Sequence, residues 1–193
     1  MEIRNALNQE RISENKTSPA VFMKEMSESP KLKAILKLLD KRMEDRELLL
    51  RAYSFIEKDF SECEKPLSSF LDKTIETLSV KTNNELERIS TGIIEAVYFQ
   101  QELFGKHMFS RSINGSSIKL NSALFEVWIS ETYKLTRVQK EKLIINKGEL
   151  TEKYKAMFRE DDFYKSIVSS TSGKGSVMTR FNKIKSLINT YSK

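Results

Sequence analysis

The sequence predicts an all-α protein, an irregular bundle of about eight to ten helices with no substantial sheet. Three observations carry this. Apolar residues recur at i, i+3, i+4 and i+7 along most of the chain. Only 6 Gly and 3 Pro occur in 193 residues, few for a loop-rich sheet protein. No segment alternates apolar and polar residues for long enough to read as a strand, and there is no internal repeat or low-complexity tract.

Taken in order, Glu2 to Ile12 reads as a short helix or turn. Asn15-Lys16-Thr17-Ser18-Pro19 reads as loop, cap and first-turn proline, opening a helix with Val21, Phe22 and Met26 on its apolar face. Ser29-Pro30 repeats the device, with Leu32, Ile35, Leu36 and Leu39 inward. The next helix, from about Lys41 to Phe60, is the stretch around which the chain is organised. Its apolar stripe is Leu49, Ala52, Tyr53, Ile56 and Phe60. Arg42, Asp45, Arg46, Glu47 and Arg51 crowd the same turns, with Glu47 and Arg51 in the favourable acid-before-base order. Two readings fit these charges: a solvated face, or a cluster lying against another element or partner, where fork-shaped Arg donors are useful.

Pro66 restarts a helix in which Leu67, Phe70, Leu71, Thr74, Ile75 and Leu78 match the helical template without a miss. Asn83 or Asn84 caps the following helix, which carries Leu86, Ile89, Ile93, Val97 and Leu103 and ends at Gly105. Arg111 to Lys119 has loop composition; Asn114-Gly115 also suits a two-residue hairpin turn, but its flanks alternate too briefly. Leu124, Phe125, Trp128 and Ile129 mark another helix, and Arg137 to Ile145 a basic one, broken by Asn146-Lys147-Gly148. Thr151 to Arg159 is helical through Tyr154 and Phe158, and Phe163, Ile167 and Val168 suggest a further short helix. A Ser/Gly-rich loop, Ser169 to Ser176, precedes a closing helix with Val177, Phe181, Ile184, Leu187 and Ile188 inward.

The chain reads as a single helical domain, 1–193, with 39% hydrophobic and 31% charged residues. No run approaches the roughly 18 apolar residues that a membrane span requires. Met1-Glu2-Ile3-Arg4-Asn5 lacks the basic-then-apolar pattern of a secretory signal. The lone Cys63 excludes an intrachain disulfide and suits a reducing cytoplasm. Charge is uneven. Lys134 to Lys193 carry fourteen Lys or Arg against six Asp or Glu, a net +8. The total of +6 therefore leaves −2 for residues 1–133. A polyanion would meet the basic C-terminal third, although a solvated lysine-rich surface accounts for the same excess.

Little catalytic chemistry is legible. His107 is the only histidine, too few for a zinc site alongside one Cys, and its place at a helix end suits capping better than catalysis. Cys63 sits among Ser61, Glu62 and Glu64, which disfavours its thiolate. Ser172-Gly173-Lys174-Gly175-Ser176 lacks the phosphate-loop pattern, since Val168 and Gly175 stand where Gly and Ser/Thr are required. It reads as a linker, with a weak anion contact through its N–H groups as the alternative. Glu160-Asp161-Asp162 suits a helix start better than a metal. No cofactor is implied.

Four separated pieces carry a resemblance: Glu2-Ile3-Arg4-Asn5-Ala6-Leu7; Arg42 to Arg51; Asn121-Ser122-Ala123-Leu124-Phe125-Glu126; and Thr179-Arg180-Phe181, with Phe104-Gly105-Lys106-His107-Met108-Phe109 a looser fifth. In this order they resemble the helical region of the GmrSD-type restriction family, which includes the SspE-like phage-defence proteins. The family's ParB-like N-terminal domain carries an Asp-Gly-Gln-Gln-Arg-type motif that does not occur here, and the HNH nuclease half is absent too. The resemblance therefore implies a non-catalytic helical module of a DNA-targeting defence protein, with a ParB-like domain as partner. Either Met1 begins a split subunit or it is an internal residue of a longer protein, and the fragment is preferred. Arg4, Asn5, Arg42, Asp45, Arg46 and Arg51 are the expected domain-docking residues. Lys140, Lys142, Lys174, Arg180, Lys183 and Lys185 are the expected phosphate contacts to DNA. The alternative is a small protein–protein interaction or split-subunit partner with no nucleic-acid role.

Overall fold

The computed structural model describes residues 17–36, 44–63, 67–115 and 118–193. Ten α-helices and three 3₁₀ turns occur among them. There is no strand among the described residues beyond an isolated antiparallel bridge between Ser110 and Leu120, so the fold is all-α as the periodicity predicts.

The first two helices begin as their prolines require. Ser18 Oγ accepts from the Val21 N–H at 3.2 Å ahead of α1 (Pro19–Glu28), and Pro30 opens α2 (Pro30–Leu36). α3 (Glu44–Glu57) stops short of Phe60, because Asp59 leaves helical geometry and caps a separate turn, Phe60–Glu62. α4 (Leu67–Ser79) buries Leu67, Phe70, Leu71, Thr74 and Leu78 as its spacing dictates. α5 (Asn83–Phe104) is capped one residue earlier than expected. Thr82 and Glu85 form a reciprocal capping box, which answers two orphan donors where Asn83 would answer one. Gly105 ends α5 at a φ of 56°, a conformation that costs L side chains strain.

The organising helix is α6 (Ser122–Tyr133) rather than α3. Every residue from Ala123 to Thr132 is buried, and α3, α5, α9 (Asp161–Val168) and α10 (Lys174–Tyr191) all pack on it. Its polar residues Glu126, Ser130, Glu131 and Thr132 are enclosed along with the apolar ones, as befits a helix surrounded by others. Asn121 caps it, accepting from the Leu124 N–H at 2.9 Å, while its amide donates to the Ile167 carbonyl at 2.8 Å and draws α9 to its start. Trp128 lies 5.0 Å from Phe104 and 5.1 Å from Tyr154, ring centre to ring centre, both edge-on. On the other side, Phe181 bridges Phe55 at 4.6 Å and Phe60 at 5.0 Å, joining α10 to α3.

α5 and α6 approach so closely at Gly92 that a Cβ there would stand 2.4 Å from the Tyr133 ring. Beyond α6, α7 (Arg137–Ile145) and α8 (Lys147–Met157) are separated by Asn146 alone. The expected break at Asn146-Lys147-Gly148 shrinks to one residue, because Asn146 anchors its amide on the Tyr191 carbonyl at 3.0 Å and Gly148 continues in helix. The Ser/Gly loop also ends sooner than its composition predicts, α10 starting at Lys174 with Gly173 as its cap. No helix among the described residues is long and apolar enough to cross a membrane.

Candidate functional site: a buried arginine–glutamate–arginine cluster

Glu126 lies in the middle of α6, between Phe125 and Val127, with no accessible surface. A carboxylate there requires partners, since an isolated buried charge is prohibitively costly. Two arginines meet it from different helices. Arg51 Nε on α3 donates to Glu126 Oε2 at 2.8 Å, and Arg180 Nη2 on α10 donates to Glu126 Oε1. Arg180 is itself fully buried, and its Nη1 donates to the backbone carbonyls of Thr171 at 2.7 Å and Ser166 at 3.3 Å. One guanidinium thus ties α10 to α6, to the end of α9 and to the loop between α9 and α10.

Two guanidiniums share one carboxylate, and Arg51 Nη2 and Arg180 Nε are buried without a hydrogen-bond partner. Burial pulls the Arg51 pKa down, but the charge and hydrogen bond of Glu126, helped by Glu47, leave it raised. Cys63 is fully buried within the field of this cluster. Burial pushes its thiol pKa up, Glu126 adds to this, and Arg180, Lys174 and Arg51 oppose. The thiolate is disfavoured as expected, but by burial rather than by the acids beside it in sequence. Asp45, one helical turn and a half before Arg51, is also buried, its Oδ1 without a partner.

Three of the four principal motif pieces converge here: Arg51, Glu126 and Arg180 each come from a different one. The fourth, with Arg4 and Asn5, lies outside the described residues, as does Arg42. Of the expected docking residues that are described, Asp45 is buried, while Arg46 and Arg51 are half-buried. Glu126 was the residue missed. Its signal was present, since a lone acid flanked by Ala123-Leu124-Phe125 and Val127-Trp128-Ile129 must find a cation.

The expected phosphate contacts have different surroundings. Arg180 is a correction: it is enclosed and committed to Glu126 and two carbonyls, so it offers no face to a polyanion. Lys183 sits between Glu160 and Asp162, bonded to the latter at 2.8 Å. Burial opposes its charge, yet both acids raise its pKa, while the Lys183 bond holds the Asp162 carboxyl low. Lys140 covers the Phe99 ring at 5.8 Å and Lys185 the Phe60 ring at 5.5 Å. Lys142 is half-buried and Lys174 exposed.

His107 does not turn to the end of α5. Its Nδ1 is 2.9 Å from Ser112 Oγ, joining the turns Gly105–His107 and Arg111–Asn114. Among the described residues no group of three or more His, Cys, Asp or Glu is arranged to hold a metal ion. Comparison with protein-family models, with characterised proteins and with solved structures finds no match to this chain.

Proposed function

We propose that this chain is a non-catalytic helical module of a GmrSD-type DNA-targeting defence protein, supporting a ParB-like domain that carries the nucleotide and DNA chemistry. The observation that supports the reading is the convergence of Arg51, Glu126 and Arg180 on one buried ion cluster. These residues belong to separate motif pieces, and all three are spent on each other and on backbone carbonyls. Charged residues used in this way hold helices in register and are out of reach of a substrate. Such a role suits a rigid support.

The test is co-expression with a ParB-like chain encoded beside it, followed by size-exclusion chromatography. A stable one-to-one complex is the expected result. Nucleotide hydrolysis or DNA cleavage by this chain alone would overturn the reading. A second reading, a protein–protein module with no nucleic-acid role, draws support from the enclosure of Arg180 and the carboxylate pairing of Lys183, which thin the basic surface. Under that reading the complex forms but the chain has no salt-dependent affinity for duplex DNA.

A further inference from the structure

We propose that the groove between α5 and α7 is the surface through which two copies of this chain pair, about a two-fold axis running along the groove. This goes beyond the reading above and does not depend on it.

α7 buries only Leu143 in its own fold. Ile144 packs partly buried against the core, which leaves two of the helix's four apolar side chains, Val138 and Ile145, in solvent. Ile145 is 80% exposed and Val138 59%, and their spacing of seven places them on one side of the helix. Beside them runs an open groove of about 870 Å³ whose floor is Phe99, Leu135, Ile144 and Ile145. Tyr98, also on α5, is 46% exposed. An open groove with apolar lining and an exposed isoleucine at its edge suits an interaction site.

The walls are opposite in sign. Glu95 and Glu102 line the α5 side, and Arg137 and Lys140 line the α7 side. Glu141 also lies on the α7 wall but is held by Arg137 at 2.8 Å within the same helix. The sign pattern selects the occupant. When two such grooves face each other about an axis along their length, left and right exchange. The acidic wall of each copy then lies opposite the basic wall of the other. Four helices, α5 and α7 from each copy, enclose the doubled apolar floor as a four-helix bundle. An axis across the groove would instead oppose acid to acid, at an energetic cost.

Sedimentation velocity of the full chain across the micromolar range tests this. The expected result is a concentration-dependent shift to twice the mass of one chain. Ile145→Asp, at a position too exposed to be needed for folding, is expected to weaken pairing at least tenfold with an unchanged thermal melt. Glu95→Lys with Glu102→Lys makes both walls basic and weakens pairing about tenfold, since symmetry counts each lost pair twice. Adding Arg137→Glu and Lys140→Glu reverses both walls and restores pairing. A monomer at every concentration overturns the proposal, including one whose groove accepts an amphipathic helix of another protein. So does pairing that persists at parental strength through Ile145→Asp and the single-wall reversal.

Discussion

Arg51 and Glu126 are 75 positions apart in sequence, yet their side chains meet at 2.8 Å in the seam between α3 and α6, the most extensive helix pairing in the fold. The pair is only half of a cluster that Arg180 completes from the last helix. Removing one member leaves an uncompensated charge where water does not reach. Glu126→Gln is therefore expected to cost about 3–5 kcal/mol, a fall in melting temperature of roughly 10 °C for a chain of this size. Replacing all three together (Arg51→Met, Glu126→Leu, Arg180→Met) should cost far less than the sum of the single changes. Calorimetric melts of Glu126→Gln, the three single variants and the triple variant check both statements. A Glu126→Gln protein as stable as its parent would show that the cluster is solvated.

Gly92→Ala is expected to destabilise the chain by about 1–3 kcal/mol, because its Cβ would stand 2.4 Å from the Tyr133 ring where α5 crosses α6. Tyr133→Leu in the same chain should recover part of the loss. Urea denaturation of the two single variants and the double one reads the coupling directly. Additive effects would mean that the clash is relieved elsewhere.

How much of this was legible beforehand depended on the range of the interaction. Local devices could be read: proline at the start of α1 and α2, the apolar stripe of α4, glycine after α5. The start of α5 was misplaced by one residue only because Thr82 competes with Asn83 for the same donors and wins by reciprocity with Glu85. The central place of α6 is harder to see, since a short helix buried on every side has no single face from which its neighbours can be inferred. The cluster itself was half visible. Each arginine was singled out, one for docking and one for phosphate, because a charge on an amphipathic helix reads as outward-facing. Only Glu126, with no polar neighbour, indicated that the charges turn inward.

Glu131 offers a pH dependence. Burial raises its pKa above the usual carboxylate range, against the pull of Lys134 and Lys185. The folded chain thus holds this proton more tightly than the unfolded one, so the group favours folding at acid pH. That contribution is lost as pH rises through the folded pKa. Glu131→Gln should therefore melt higher than the parent at neutral pH, with the gap closing as pH falls below the ordinary range of glutamate. Paired melts across that interval decide it. A gap that widens towards acid would reverse the sign assigned to Glu131.

Cys63 is buried, with its thiol pKa pushed up by that burial. Under native conditions it should resist maleimide and iodoacetamide, reacting only as fast as the chain opens. Labelling followed by mass spectrometry, with and without urea, measures this. Rapid modification of the native chain would place the thiol at the surface.

If the chain binds duplex DNA, Lys142→Ala and Lys174→Ala should each reduce the slope of log affinity against log salt by about one. Arg180→Met should leave that slope unaltered while lowering the melting temperature. Fluorescence anisotropy at several salt concentrations separates the two effects. A salt slope that falls with Arg180→Met at constant stability would return Arg180 to the surface.

The position of Arg180 on α10 also bears on synthesis at the ribosome. Glu126 emerges long before Arg180, so an interrupted product ending ahead of α10 would enclose an anion lacking one of its two cations. Such a product should stay loosely assembled and exposed to quality-control proteases, whereas arrival of α10 closes the interior in a single cooperative step. The ion cluster thereby makes correct compaction conditional on synthesis of α10.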